Sequence, residues 1–250
     1  MISESELVRD LNDYLNVDQI EDDTHNGIQV DADSSIQKVA FAVDARRDII
    51  EKAVDQDADL LVTHHGMIWG GVKSITKKFY KLISLFLKND MALYVSHLPL
   101  DVHEEIGNNV LLAKTVGSEP VDTFFDYNGT EVCLMAEFGE EKKVSEVAKI
   151  LSEKLEAETT VYLGDRKVKK VGIMTGKGGS AVSLAKEEGT DLFITGERSY
   201  MAYNEAIDMG LPLIMGGHYA TEILGIQALM EKVEKEYNFE CFWIDGRSDI

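Results

Sequence analysis

Two adjacent histidines end an apolar run at Ala58-Asp59-Leu60-Leu61-Val62-Thr63-His64-His65-Gly66, and Gly216-Gly217-His218-Tyr219-Ala220-Thr221-Glu222 follows a second such run. The chain holds only six histidines. Three lie in these two segments, and His97 and His103 flank Asp101 in a third, Ser96-His97-Leu98-Pro99-Leu100-Asp101. Imidazole nitrogens grouped with carboxylates are the donor set of a transition-metal site, because they displace water from a divalent ion. Zn, Fe or Mn is the expected occupant, not Ca, which takes oxygen ligands.

The spacing refines this chemistry. Successive side chains on an extended strand point to opposite faces, so His64 and His65 are expected to serve two ions, or one ion and a substrate. His218 and Glu222 stand four residues apart at a helix start and share one face. A carboxylate beside an imidazole there can bridge two ions. Gly216 and Gly217 let the chain turn sharply out of its strand. Each residue also has a plainer role. A lone histidine at a strand end is usually a packing residue. Asp101 can cap a helix expected over Val102–Thr115. His103 reads as a solvated helix residue, and His25 as a turn residue before Asn26-Gly27-Ile28-Gln29-Val30. The glycine-rich stretch Gly176-Lys177-Gly178-Gly179-Ser180 could cradle a phosphate, but it matches neither a Walker A motif nor GxGxxG, and a tight turn is its default reading.

The elements that must position these residues repeat. Lys38-Val39-Ala40-Phe41-Ala42-Val43 resembles Lys170-Val171-Gly172-Ile173-Met174-Thr175, and Asp59 to His65 lines up with Asp191 to Glu197 at the same offset of 132. Helix-like segments, Ala45–Asp55 and Ser180–Glu188, join the strands, and a third apolar run follows each pair at Ala92–Ser96 and Pro212–Met215. This alternation predicts an α/β fold of two duplicated domains, 1–120 and 121–250, with the metal site at the strand carboxyl ends between them. The closing helix Tyr219–Tyr237 and strand Phe239–Ile244 are free to pack back on the first domain. Glu4–Leu15 reads as an amphipathic helix, Lys77–Lys88 as a well-buried helix, and Gly117–Gly129 as a linker. Strand, helix and strand follow at Thr130–Phe138, Lys143–Leu155 and Thr159–Leu163.

Composition narrows the classes. At 250 residues, 44% hydrophobic and three prolines, the chain has material for a large core. No apolar run reaches the roughly 20 residues of a membrane span, and the N-terminus lacks a signal-peptide pattern. A net charge of −20 opposes nonspecific nucleic-acid binding. Cys133 and Cys241 form no CxxC pair and read as reduced cytoplasmic thiols, poor metal ligands. No GxSxG elbow or Ser-His-Asp arrangement is present.

Thr63-His64-His65-Gly66, Ser96-His97-Leu98-Pro99-Leu100-Asp101, Gly107-Asn108-Asn109, Thr195-Gly196-Glu197 and Gly217-His218-Tyr219-Ala220-Thr221-Glu222 together resemble the YbgI-type, or Nif-three-like, dinuclear metal proteins. Members of that family are often labelled GTP cyclohydrolase I type 2 homologues. The resemblance runs from about residue 25 to 245. It implies two metal ions per chain held by His64, His65, Asp101, His218 and Glu222, with Glu222 as the bridge and His97 as a catalytic or supporting residue. It also implies two interlinked α/β domains and a toroidal homohexamer. Tyr127-Asn128-Gly129-Thr130-Glu131-Val132 departs from the Gly-Arg-Gly-rich turn common in bacterial members. The expected activity is metal-dependent hydrolysis of GTP, another nucleotide or a phosphoester. The alternative is a non-catalytic metal-binding or metal-delivery scaffold with protein or nucleic-acid partners.

Overall fold

A computed structural model of the chain describes residues 4–33, 35–72 and 74–247, with side chains described from residue 6 onward. The chain divides into two compact units. The first comprises the residues up to Leu100 together with Gly225–Gly246, and the second comprises Asp101–Leu224 with the segment from Arg247. These units depart from a division at 120/121. The stretch 101–120 groups with the second unit, where helix α5 (Asn108–Val116) packs on strands β5 (Ser118–Tyr127) and β6 (Thr130–Lys143).

The first unit is built on a five-stranded sheet. Its order is β1 (Gly27–Val30), β4 (Ala92–Val95), β3 (Leu60–His65), β2 (Lys38–Asp44) and β11 (Glu240–Trp243). The three central strands and β11 run parallel, and β1 is antiparallel at the edge. Helix α2 (Arg47–Asp55) presents Ile49, Ile50 and Ala53 to one face, against Ala40, Ala42, Leu61, Leu93 and Val95. Helix α1 (Glu4–Tyr14) contributes the buried Leu7 and Leu11. Helix α3 (Lys77–Asn89) is less buried than its composition suggests. Only Leu82 and Phe86 enter the core, while Tyr80 and Leu87 are exposed.

The second unit carries a six-stranded sheet in the order β5, β6, β8 (Lys167–Met174), β9 (Leu192–Thr195), β10 (Leu213–Met215) and β7 (Thr160–Tyr162). Alternate residues of β8 to β10 face opposite layers. Val171, Ile173, Leu192, Ile194 and Ile214 pack with α5 and α6 (Val144–Leu155). Phe193, Leu213 and Met215 pack with α7 (Val182–Glu187) and α8 (Tyr200–Met209). Both sheet faces are covered, so these strands read as continuous apolar runs. Each fully buried Leu, Ile or Phe contributes about 1.5–3 kcal/mol, well above the roughly 0–1 kcal/mol of exposed pairs such as Arg47–Glu51.

The segment expected as a linker is instead strand β5. It pairs with β6 through the turn at Asn128-Gly129, where φ is 52° and 88°. Two consecutive positive φ values make the tight turn that matches strand twist, and Asn-Gly is the pair that adopts it cheaply. The helix expected from Val102 starts only at Asn108, with Gly107 as its N-cap. Asp101 instead ends a short helix, α4 (Leu98–Asp101).

The repeat extends to hydrogen-bond register. Val39 pairs with Leu60 and Val171 with Leu192, and each following pair up to Ala42–Thr63 and Met174–Thr195 keeps the same offset. The Asp59 carboxylate accepts the amides of Gln37 and Lys38, each at 2.8 Å. Asp191 accepts those of Lys169 and Lys170 at 3.1 and 2.9 Å. Each clamp fixes the start of one parallel strand against its neighbour. Asp59→Ala and Asp191→Ala should therefore each destabilise by about 1–3 kcal/mol, the range for bonds to a charged acceptor. Chemical denaturation checks this, and a cost at only one position would show that the clamps are not equivalent.

Candidate metal centre

In the first unit the carboxyl ends of β2, β3 and β4 bring Asp44, His64, His65 and His97 together. The ring centroids lie 4.7 Å apart for His64 and His65, 5.1 Å for His64 and His97, and 5.6 Å for His65 and His97. One ring nitrogen from each lies within 4.8 Å of the other two. The strand pleat alone would direct His64 and His65 apart. Their hydrogen bonds account for the closer approach. His64 Nδ1 is 2.9 Å from the Ser96 carbonyl, just past β4. His65 Nδ1 is 2.8 Å from Asp44 Oδ1, at the end of β2 on the other side. Both imidazoles are thereby held at the strand end.

These partners also set the tautomer. A carbonyl or carboxylate only accepts, so Nδ1 carries the proton and a neutral ring keeps its lone pair on Nε2. His97 follows the same rule, with Nδ1 3.0 Å from Asp22 Oδ2. Three imidazoles thus present Nε2, the form a metal ion or a transferred proton requires.

Asp22 is nearly buried, with a side chain 2% exposed. Burial would raise its pKa. The hydrogen bond and charge of His97, together with hydrogen bonds from Asn26 and the Leu98 amide, outweigh burial and hold the carboxyl at about 2. This residue was not legible as functional, because it sits in the acidic run Glu21-Asp22-Asp23, which reads as a solvated surface.

In the second unit Asp101, 9% exposed, accepts Asn108 Nδ2 at 2.8 Å and Thr175 Oγ1 at 3.3 Å. Asn109 Oδ1 takes the Thr175 amide at 2.9 Å, which ties the start of α5 to the end of β8. His218 and Glu222 occupy the first turns of α9 (His218–Tyr237), with His218 Nε2 3.3 Å from Glu222 Oε1. Glu197 Oε2 lies 3.8 Å from His218 Nδ1. Glu222 is 2% exposed, and a carboxylate oxygen of Asp101 lies within 4.8 Å of one of its own. Two buried carboxylates this close repel one another, and a dication between them removes the penalty. The donor set therefore fits divalent metal.

Gly176 makes room for this arrangement. Its φ is 58°, and a Cβ there would lie 1.9 Å from Glu222 Oε1. The phosphate-cradle reading of 176–180 is not supported. The Gly176 amide donates to Thr221 Oγ1 of α9 at 3.1 Å and the Gly178 amide to Thr195 Oγ1 of β9 at 3.0 Å, so these donors are already spent on neighbouring elements. His103 lies in the turn before α5, where its Nδ1 accepts the amides of Glu105 and Ile106. His25 is exposed and tied by its amide to the Ile68 carbonyl. Burial pushes the Cys133 thiol up, and burial together with Glu234 pushes that of Cys241 up to about 12. Neither is a ready thiolate ligand at neutral pH.

A duplicated α/β frame with histidines and carboxylates at its strand ends defines the class. The chain belongs to the Duf34/NIF3 (NGG1p interacting factor 3) family, whose model matches residues 2–249. It is 41% identical over 247 residues to a GTP cyclohydrolase 1 type 2 homolog of Pyrococcus abyssi, covering 98% of each chain. It is 38% identical over 241 residues to the Archaeoglobus fulgidus protein of the same description, covering 96% of this chain and 97% of the other. Its fold matches the solved structure of protein ybgI with a TM-score of 0.92 at 31% identity, over 100% of both chains.

The Asp22–His97 pair predicts an acid sensitivity. A carboxyl held below its ordinary pKa of 3.8 contributes stability that is full above that value and is lost as pH falls toward 2. The loss is at most about 2 kcal/mol. Denaturation midpoints measured between pH 5 and 2 should show a steeper fall for the wild type than for Asp22→Asn. Equal slopes would mean that Asp22 is not the group responsible.

Proposed function

We propose that the protein is a dinuclear metal-dependent hydrolase of the cytoplasm, with His64, His65, Asp101, His218 and Glu222 as ligands. Its substrate class is GTP, another nucleotide or a phosphoester. The observation that carries this reading is the set of imidazoles whose Nδ1 is held by an oxygen, which assigns Nε2 as the ligating nitrogen of each. Glu222, buried beside His218 and close to Asp101, is the natural bridge.

Two bound divalent ions would supply a water of lowered pKa and stabilise negative charge developing on the substrate. The chain's own groups complete the work. His97 carries a basic Nε2 and takes or returns a proton there. Asp22 fixes its ring through the bond at Nδ1. Asn108 and Thr175 hold Asp101 in one orientation, and Glu197 faces Nδ1 of His218. Five protein ligands shared by two ions leave positions for water and substrate, which favours catalysis over a closed structural site.

Reconstituted protein should hold two ions of Zn, Fe or Mn per chain. Glu222→Ala should lose most of this metal, and His103→Ala should retain it. Elemental analysis decides: one ion or none in the wild type, or equal content in the two variants, would refute the ligand assignment.

The proposed assembly is a toroidal hexamer. At −20 per chain, six copies carry −120 before metal binds, so their contacts must be apolar or cation-bridged. Salt at roughly 0.15 M shortens repulsion to about 8 Å, so assembly should strengthen from low to moderate ionic strength. Light scattering tests this, and a monomer under all conditions would rule out the ring.

A further inference from the structure

Trp69 stands beside the histidine cluster and is 44% exposed. Its indole and the His97 ring make a T-shaped contact, with ring centroids 5.1 Å apart and planes at 74°. It lies 6.4 Å from the ring of His65. Exposing an indole forgoes burial of a large apolar surface, and this one is not exposed by looseness. Its Nε1 donates to the Gly66 carbonyl at 2.9 Å. Its backbone bridges Thr24, and the next residue, Gly70, donates to the Asp23 carbonyl at 2.8 Å. Gln29 Oε1 accepts the amides of Met67 and Ile68 at 2.8 and 3.0 Å. The loop is therefore pinned at several points with the ring held at its rim.

A groove of about 630 Å³ opens at the same place, lined by Met67, Ile68, Trp69, Val72, Phe79 and Lys78 among others. In a chain with 45 acidic residues, no acid and one lysine are among the described residues that line it. By contrast, Glu104, Asp122 and Glu131 line the cavity beside Asp101 in the second unit. The groove thus offers a flat aromatic face, apolar walls and a cation where the rest of the surface repels anions.

We infer that Trp69 is a stacking platform for a planar heteroaromatic ring that carries an anionic group, placed so that the ring's polar edge meets His97 and His65. Rings of this kind stack on tryptophan through their π faces with little regard to substitution pattern. The inference deepens the nucleotide reading above and rests on it only for the choice of probe.

The test uses purified protein of measured metal content, with GTP as the ring-bearing probe and ribose 5-phosphate as the ringless one. In a Trp243→Phe background Trp69 is the only indole, and GTP should quench its emission saturably while ribose 5-phosphate should not. By calorimetry, Trp69→Ala should weaken GTP binding roughly 5- to 100-fold, the range for loss of one base stack. Trp69→Phe should retain most of the affinity. Metal content and particle mass should be the same in all three proteins. Unchanged GTP affinity in Trp69→Ala overturns the inference, as does no GTP binding by the wild type. Loss of metal in Trp69→Ala would make the ring a prop for the histidines, and loss of assembly would make it a contact between copies; either result also overturns it. GTP bound at Trp69 by a protein that does not hydrolyse it would leave the stacking site standing and remove the hydrolase reading.

Discussion

The histidine cluster of the candidate metal centre depends on one kind of hydrogen bond, an oxygen acceptor on Nδ1 of a histidine. An imidazole at a strand end can rotate, and either nitrogen can carry its proton. Ser96, Asp44 and Asp22 remove both freedoms for His64, His65 and His97. Two of the three acceptors, Asp44 and the Ser96 carbonyl, come from the sheet frame itself, because parallel strands end level with one another, and Asp22 lies in the loop before β1. Asp44 pairs in register with His65 across β2 and β3, and Ser96 follows directly on β4. The same parallel packing that buries the apolar runs therefore sets the chemistry at their ends.

Duplication explains how one frame serves two different purposes. At the common offset, Asp44 corresponds to Gly176 and His65 to Glu197. In the first unit the pair is an acid holding an imidazole. In the second the acid has become a glycine, and the space it vacates is filled by Glu222 from α9. The strand clamps at Asp59 and Asp191 remain in both units, because they serve the backbone rather than the site. The repeats keep what folds them and differ where ligands are needed.

The strands and their ends were legible because burial on both faces leaves an unbroken apolar run, and each run stops where polar residues begin. The candidate ligands were legible for the same reason. Asp22 was not, since one acid in an acidic run carries no mark of burial, and its partner His97 lies far along the chain. The linker reading of 117–129 failed because Pro120, Asp126 and Asn128 suggest a loop, whereas an edge strand tolerates proline and Asn-Gly closes a hairpin. Helix α3 was read as buried from its count of apolar residues, although only Leu82 and Phe86 among them reach the core. The expected start at Val102 failed for a local reason, since residues 102 to 107 form turns around the His103 imidazole.

The first unit is discontinuous in sequence, and β11 joins its sheet from the far end of the chain. During synthesis, residues 38–44 leave the ribosome with one edge of their strand lacking its neighbour, and that neighbour is made only after the second unit. The second unit, nearly continuous from 101 to 224, needs no such wait. The order of birth thus differs from the order of completion: the later unit can finish its sheet while the earlier one still has an open edge, the part of a β structure most prone to wrong pairing. Truncation near the C-terminus would therefore damage the N-terminal sheet, far from the cut in sequence and adjacent to it in register.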